Sequence, residues 1–589
     1  MKKLLILLTL IASFGLNIFA QKTMNEDFRK TPPKPLDPRP FGIAKPFETT
    51  LPNGLKVVVI EDKQLPIVSY RLIFKTGDAN DDSNGMMSAM TNQLNQGTKN
   101  RTSKQIAEEV EKLGASLFAA TSSDNTTVAA SALTMYNSNI LKLMADIVLN
   151  PTFPANELKI YQANTIEGLK FQRSEASFLA NEQMAKILYG KHPYSVVSPT
   201  EDDIKNITSA KLSAYHKKFF IPNNAILVVV GDVKQADLLK DLKANFGTWK
   251  KGNLTETKFP EPPTRTEKTL TIVNREGSAQ SNILISNLAV PRNNPDYFPI
   301  LVMNQVLGGG ASARLFMNLR EAKGYTYGAY SSFDMRRQAG SFDANSEVRT
   351  AVTGDSLKEF FIELNKIRDE KVPTQELQDA KNYLTGVFPL RAETQEGLTN
   401  LIVSQQVNNL PSDYLQTYRE KIDAVTVEDV QRVAQKYVLS DKCAIVIVGD
   451  AEEIYKQAKP YATKINAFEA DGKAIDVANF GKSANVPNAN VAGKWDLVIS
   501  VQGQEIPVTL TLTQDGTSVK GSLDSMLGKG EISGGSVSGN KVSAVAKSEI
   551  QGQSVELTII GTVDGDKMSG TINAPMIPMP LPFTGTKAK

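Results

Sequence analysis

Ala225-Ile-Leu-Val-Val-Val-Gly-Asp232 is an unbroken apolar run closed by Gly-Asp, and it returns as Ala444-Ile-Val-Ile-Val-Gly-Asp450. A short run that is apolar at every position and rich in β-branched residues reads as a strand buried on both faces. The two closing aspartates are 218 residues apart (450 − 232). A second set of landmarks repeats almost in step: Pro154, Glu157 and Leu158 recur as Pro373, Glu376 and Leu377, each 219 residues later. Two independent landmarks at nearly one offset point to duplication of an α/β unit. The period is far longer than the roughly 50 residues of the longest solenoid repeats.

The expected fold class is α+β, with two homologous α/β sandwich halves enclosing a cleft and a small antiparallel β-domain after them. The halves are placed at 46–255 and 268–465, with Pro260, Pro262 and Pro263 marking the linker 256–267. In the first half, Leu55–Ile60 and Ile67–Phe74 read as strands, preceded by an Asn53-Gly54 turn. Thr102 with Gln105 makes a capping-box pattern for a helix over Arg101–Gly114. Strands are expected at Ser116–Ala120 and Thr127–Leu133, and helix over most of 136–190. The second half repeats the scheme with a strand at Asn282–Leu288 and helices at Tyr297–Val306 and Phe316–Lys323.

The ends of the chain read differently. Lys2 and Lys3, the apolar Leu4–Leu16 and Ala20 before Gln21 make a secretory signal over 1–20, so the protein is expected to be exported, to periplasm or cell envelope. No cysteine follows the signal, which excludes a lipid anchor there. No later stretch has the length of a transmembrane helix. A proline-rich extended leader is expected over 21–45. After a polar linker over 466–491, residues 492–589 change character. Val508, Leu510 and Leu512 alternate with threonines before Asp515-Gly516, and Val555, Leu557 and Ile559 alternate before Asp564-Gly565. That pattern describes hairpins of a small barrel or sandwich. Met576-Ile-Pro-Met-Pro580 reads as a rim loop or a ligand lip.

Lys+Arg number 66 against 63 Asp+Glu, so no basic excess points to nucleic acid and no acidic excess to a solvating tail. The one cysteine, Cys443, cannot form an intramolecular disulfide and abuts an apolar strand, as a buried small hydrophobe does. The only histidines are His192 and His216.

Between the first strands and the capped helix lies Gly85-Met-Met-Ser-Ala-Met-Thr-Asn-Gln-Leu-Asn-Gln-Gly-Thr98. On a helix Ser88, Thr91 and Asn92 share one face at i, i+3 and i+4, where they could form a hydrogen-bonded cluster. Met87, Met90 and Leu94 line another face.

In order and spacing, several stretches together resemble the pitrilysin family, which includes insulin-degrading enzyme and the mitochondrial processing peptidases. They are Leu51-Pro-Asn-Gly54, Gly85–Thr98, His192-Pro-Tyr194, Pro222–Asp232 and Leu307–Tyr330. Those enzymes carry the inverted zinc motif H-x-x-E-H. The resemblance covers about residues 46–465. It sets the two metal histidines on Ser88 and Asn92, the general-base glutamate on Thr91, and the distal glutamate ligand on Gly168, with Glu167 one place away as a reserve. Zinc takes thiolate, imidazole or carboxylate, and a metal-bound water needs a base within reach. On this chain those positions are vacated, and His192 and His216 fall where the family binds no metal.

The resemblance also implies a site in the second half. Arg320 and Tyr327, seven apart, match the family's substrate-binding pair, the arginine gripping a backbone or carboxylate and the tyrosine facing a developing oxyanion. Gly308, Gly309 and Gly310 fall where the non-catalytic processing-peptidase subunit carries a glycine-rich substrate loop; a plain helix-start loop is the alternative. By this resemblance the chain is a non-catalytic subunit that binds no cofactor itself and pairs with a zinc-bearing homologue to act on peptides. The competing readings are a peptide-binding scaffold and an autonomous metallopeptidase built on Glu167.

Overall fold

The computed structural model describes residues 42–588 apart from 256, 481–487, 502–503, 527, 551–552 and 574–579. The expected signal, most of the leader and nearly all of the Met576–Pro580 stretch lie outside the described residues. Every helix and strand below belongs to the compact unit that begins at Lys45.

The first half holds a six-stranded sheet. Its strands are β1 (Phe47–Thr50), β2 (Lys56–Glu61), β3 (Ile67–Phe74), β4 (Ser116–Thr121), β5 (Thr126–Leu133) and β6 (Ala225–Gly231), in the order β1-β2-β6-β3-β5-β4. The helices of this half are α1 (Met86–Asn92), α2 (Ser103–Lys112), α3 (Asn137–Leu149), α4 (Ala155–Ser174), α5 (Ala176–Tyr189), α6 (Glu201–Lys205), α7 (Ser209–Phe219) and α8 (Gln235–Phe246). The second half has β7 (Thr269–Asn274), β8 (Gln280–Ala289), β9 (Thr326–Met335), β10 (Gly340–Arg349), β11 (Ala444–Gly449), β12 (Lys464–Glu469) and β13 (Ala474–Ile475), in the order β13-β12-β7-β11-β8-β10-β9. Its helices are α9 (Tyr297–Leu307), α10 (Thr353–Asp369), α11 (Thr374–Ala392), α12 (Gln395–Val407), α13 (Tyr414–Asp423), α14 (Val427–Tyr437) and α15 (Ala451–Ala458).

The two sheets share one plan. β6 runs parallel to β2 and antiparallel to β3, and β11 runs parallel to β7 and antiparallel to β8. The 219-residue offset read from Pro154 and Pro373 returns in the starts of α4 and α11, α5 and α12, and β6 and β11. β12 and β13 carry the second sheet beyond residue 465, into the segment expected as linker. The reason is local pairing: β12 lies parallel to β7 over Lys464–Glu469.

The halves exchange helices. β6 and β11 are buried at every residue, so both faces need cover. α5 of the first half lies on β8 and β11 of the second, and Leu179, Ala180, Met184 and Leu188 join Val446 and Val448 in one apolar cluster. Reciprocally, α12 lies on β3 and β6. At its N-terminal end Gln395 Nε2 donates to the carbonyls of Asp62 and Leu65 at 3.2 and 3.3 Å. Glu396 meets the buried Arg71 at 3.1 Å. At the other end Lys56 donates to Gln406 at 2.7 Å. Across the opposite side, Asp124 accepts from Tyr194 of its own half and from the backbone NH of Arg337 of the other, at 2.9 Å for the latter.

The C-terminal domain settles the choice between barrel and sandwich. Eight antiparallel strands, β14 (Gly493–Val501), β15 (Gln504–Asp515), β16 (Ser518–Ser525), β17 (Gly528–Ser538), β18 (Lys541–Ile550), β19 (Gln553–Asp564), β20 (Lys567–Asn573) and β21 (Leu581–Lys587), close because β21 pairs back onto β14. The interior is filled by Trp495, Leu510, Ile532, Ile559, Met568 and Phe583. Gly516 and Gly565 take positive φ in the expected hairpin turns.

Two consequences are measurable. Leu188 is 1% exposed, in the cluster that joins the halves. Leu188→Ala is expected to cost about 3 kcal/mol in urea unfolding, by lost transfer energy plus a cavity. The second concerns Asp296, which precedes α9 and accepts from Tyr437, Lys436 and Arg432 of α14. Burial pushes its carboxyl up, but these hydrogen bonds and charges outweigh burial and hold it at about 2. The folded pKa lies below the ordinary value, so the stabilisation is complete above about pH 4 and is lost as pH falls from about 4 to about 2. It amounts to about 2 kcal/mol. Asp296→Asn should flatten that part of the acid-unfolding profile.

Candidate functional site

α1 is shorter than the sequence pattern implies, ending at Asn92, with a turn carrying the chain on to Gly97. Met87, Met90 and Leu94 are fully buried, which fixes the rotation of the helix. The three polar residues then part company instead of bonding to one another. Ser88 Oγ donates to Asp78 Oδ1 at 3.0 Å. Thr91 is 2% exposed and its Oγ1 has no hydrogen-bond partner. Asn92 is exposed and accepts from Gln93 Nε2 at 3.3 Å. On α4, Gly168 faces open space and Glu167 is exposed, paired with Lys170 at 2.7 Å. A zinc ion requires anionic or imidazole donors that converge. Neutral hydroxyls, an amide turned to solvent and a glycine do not fit that need, and among the described residues no group of three His, Cys, Asp or Glu is placed to hold a metal.

What occupies this end of the first half was not read from the sequence. Asp78, Asp81, Asn84, Ser88, Ser198 and their neighbours line a cavity of about 280 Å³. Asp81 accepts the Met87 backbone NH at 3.0 Å, and burial with the neighbouring Asp78 charge pushes its carboxyl up to about 8. Burial likewise raises Asp78, against the opposing hydrogen bond from Ser88. The sequence signal for Asp81 was an acidic residue just ahead of a helix start; Asp78 carried none.

The two histidines serve the core. His192 is 2% exposed and its Nδ1 accepts from the Tyr194 backbone NH at 3.1 Å; His216 Nε2 donates to the Val148 carbonyl at 2.7 Å. Burial lowers both pKa values. Cys443 is buried and its thiol is pushed up to about 11.

The second half presents its residues outward. Arg314–Phe316 is one α-helical turn, and Met317–Ala322 continues as a π-helical turn in place of the expected α-helix. Gly324, at φ 62°, reverses the chain, with its NH on the Arg320 carbonyl at 3.0 Å, and β9 begins two residues later. Arg320 stacks its guanidinium 4.7 Å from the Phe316 ring, and Phe316 in turn contacts Tyr330. Its side chain is 46% exposed, with Glu321 at 3.5 Å. Tyr327 lies in a bulge of β9, where it and Gly328 oppose the single Glu347 of β10, and is 88% exposed. Bulges re-aim side chains in this way. Tyr327 and Tyr330 help line a second cavity of about 340 Å³. Each cavity is lined by one half alone.

The glycine run has packing reasons. The NH groups of Gly308 and Gly309 both donate to the Asn304 carbonyl, at 2.9 and 2.8 Å, and the Gly308 carbonyl accepts from Ser331 of β9 at 3.0 Å. A Cβ at Gly308 would fall 2.3 Å from the Ser331 nitrogen. Two of the three NH groups expected to face a peptide are therefore engaged by a helix end; a Cβ at Gly310 would meet nothing closer than 3.5 Å. Asn304, unnoticed in the sequence, also grips Ser331 through both ends of its amide, at 3.1 and 2.8 Å.

Comparison with known proteins agrees with this geometry. The family model described as Insulinase (Peptidase family M16) matches residues 56–197, and that described as Peptidase M16 inactive domain matches 206–384. Together they span more than half of the chain. The uncharacterised zinc protease YmxG of Bacillus subtilis is 24% identical over 410 residues, which are 68% of this chain and 97% of that protein. The non-peptidase homolog YmxG of Helicobacter pylori is 24% identical over 408 residues, 68% of this chain and 94% of that protein. The crystal structure of a peptidase M16 inactive domain from Pseudomonas fluorescens aligns with a TM-score of 0.66 at 28% identity, covering 69% of this chain and 99% of that one. The chain belongs to peptidase family M16, the insulinases, as an inactive member.

Proposed function

We propose that this chain is a non-catalytic, exported subunit that pairs with a zinc-bearing homologue and supplies Arg320 and Tyr327 to the partner's peptide-cleaving site. One observation carries the reading: Tyr327 is 88% exposed on the bulged end of β9 and Arg320 is exposed on the turn that leads into that strand, while Ser88, Thr91, Asn92 and Gly168 offer zinc nothing. A phenol in water without a partner gains little for its own fold; against a scissile carbonyl it gains a short hydrogen bond to a growing negative charge. The exposed guanidinium is suited to fork onto a peptide carboxylate or carbonyl. The exchange of α5 and α12 ties the two halves into one body, and on this reading the peptide chamber forms between this chain and its partner. Among the described residues no helix is long and apolar enough to cross a membrane.

The chain purified alone is expected to hold less than about one zinc per ten chains by metal analysis and to leave an internally quenched peptide intact. Stoichiometric zinc with turnover would instead establish the autonomous peptidase. A homologue with an intact H-x-x-E-H should co-purify from the native envelope. In the reconstituted pair, Tyr327→Phe is expected to lower kcat about 100-fold, the usual cost of one oxyanion donor. Full activity of that variant, or a pair that never forms, would leave the peptide-binding scaffold as the reading.

A further inference from the structure

Arg320 is exposed and, among the described residues, pairs only with Glu321, yet the turn that carries it is tightly held from behind. Asn318 lies two residues earlier, on the opposite side of the turn. Its Nδ2 donates to Glu359 Oε2 at 3.1 Å and to Glu363 Oε1 at 2.8 Å. These glutamates stand one turn apart on α10 and are only 8% and 6% exposed. Lys323, one residue past the turn, closes on Glu359 at 3.1 Å. Burial raises the Glu359 carboxyl, but Asn318 and Lys323 more than offset it and hold it below the usual range, so the clamp is anionic at neutral pH. The Asn318 carbonyl accepts the Lys323 NH at 3.0 Å, the i→i+5 bond that makes the turn π-helical. The same residue thus sets the turn through both backbone and side chain.

The arrangement has a cost. With both amide hydrogens directed to carboxylates, Asn318 Oδ1 is buried without a partner. A buried carbonyl left so forfeits on the order of 1–3 kcal/mol. An ordinary α-turn at 317–322 would need neither the extra residue nor the orphaned oxygen. Single π-turns of this kind cluster at functional sites because they re-aim the residues they carry.

We propose that Asn318, clamped by Glu359 and Glu363, is a positioning residue that aims Arg320 at the peptide, an inference that rests on the subunit reading above. The side chain touches no substrate and acts only through the turn.

A double-mutant cycle on the reconstituted pair, read with an internally quenched peptide, tests it. Asn318→Ala is expected to raise KM about tenfold with kcat nearly unchanged, and to have no further effect on KM in an Arg320→Ala background. A merely structural loss would lower activity in both backgrounds. Should Asn318→Ala fail to fold by thermal melting, Glu363→Leu takes its place, with Glu363→Gln, which keeps an acceptor for the amide, raising KM less than Glu363→Leu. An unchanged KM in the clamp variants, with KM raised by Arg320→Ala, overturns the positioning role alone. An unchanged KM in Arg320→Ala itself overturns the reading beneath it.

Discussion

Two strands that are apolar on both faces govern this molecule. β6 and β11 each need a cover on the side their own helices leave open, and each takes it from the other half: α12 over β6, α5 over β11. Burying a leucine or methionine in such a place stabilises by about 2 kcal/mol, and α5 alone inserts Leu179, Met184 and Leu188. Separating the halves would return all of this to water. The duplication therefore produced one interlocked body, with its polar ties, Arg71–Glu396 and Asp124 to the Arg337 NH, gathered at the edges of the apolar contact.

Much of this was legible from local pattern. The offset read from Pro154 and Pro373 recurs at three pairs of elements, because a duplicated unit keeps its element lengths even when few residues remain alike. Strands β3 and β6 came out close to their periodicity, since β-branched runs bounded by turns leave little choice. The exchange of α5 and α12 was not legible. An amphipathic helix records that one face is buried, not which sheet buries it. The ends of elements failed for local reasons. α1 stops at Asn92, short of the expected Thr98, and pairing with β7 draws Lys464–Glu469 into the sheet from a stretch whose composition reads as linker.

At the site, residue chemistry was more legible than geometry. That Ser88, Thr91, Asn92 and Gly168 cannot ligate zinc follows from their side chains, wherever they point. That Tyr327 stands in water could not be foreseen, because it lies in a bulge of β9 that only the pairing with β10 reveals. The glycine run is ambiguous in an instructive way. Gly308 is glycine because β9 passes too close for a Cβ, and the NH groups of Gly308 and Gly309 close the end of α9. A run of glycines records that backbone comes near something; it does not say whether that is a ligand or the protein itself.

The same energetics account for the residues that stand at the vacated positions. Thr91 is 2% exposed, at the place where the resemblance sets a catalytic glutamate. A carboxylate held there without a metal would be an unpaired buried charge, costing several kcal/mol even after relaxation. An orphaned hydroxyl costs only on the order of 1–3 kcal/mol. Ser88 does better still, since its hydroxyl meets Asp78 and tempers a carboxylate that burial already raises. With no metal to pair a carboxylate, short neutral side chains are the stable occupants of this helix face, at the cost of one unsatisfied oxygen. The π-turn of the second half carries a comparable orphan, Asn318 Oδ1, as the counterpart of two bonds to buried carboxylates. An unpaired oxygen is tolerated on α1 because the alternative there is a buried charge, and in the π-turn because the same amide holds two buried carboxylates.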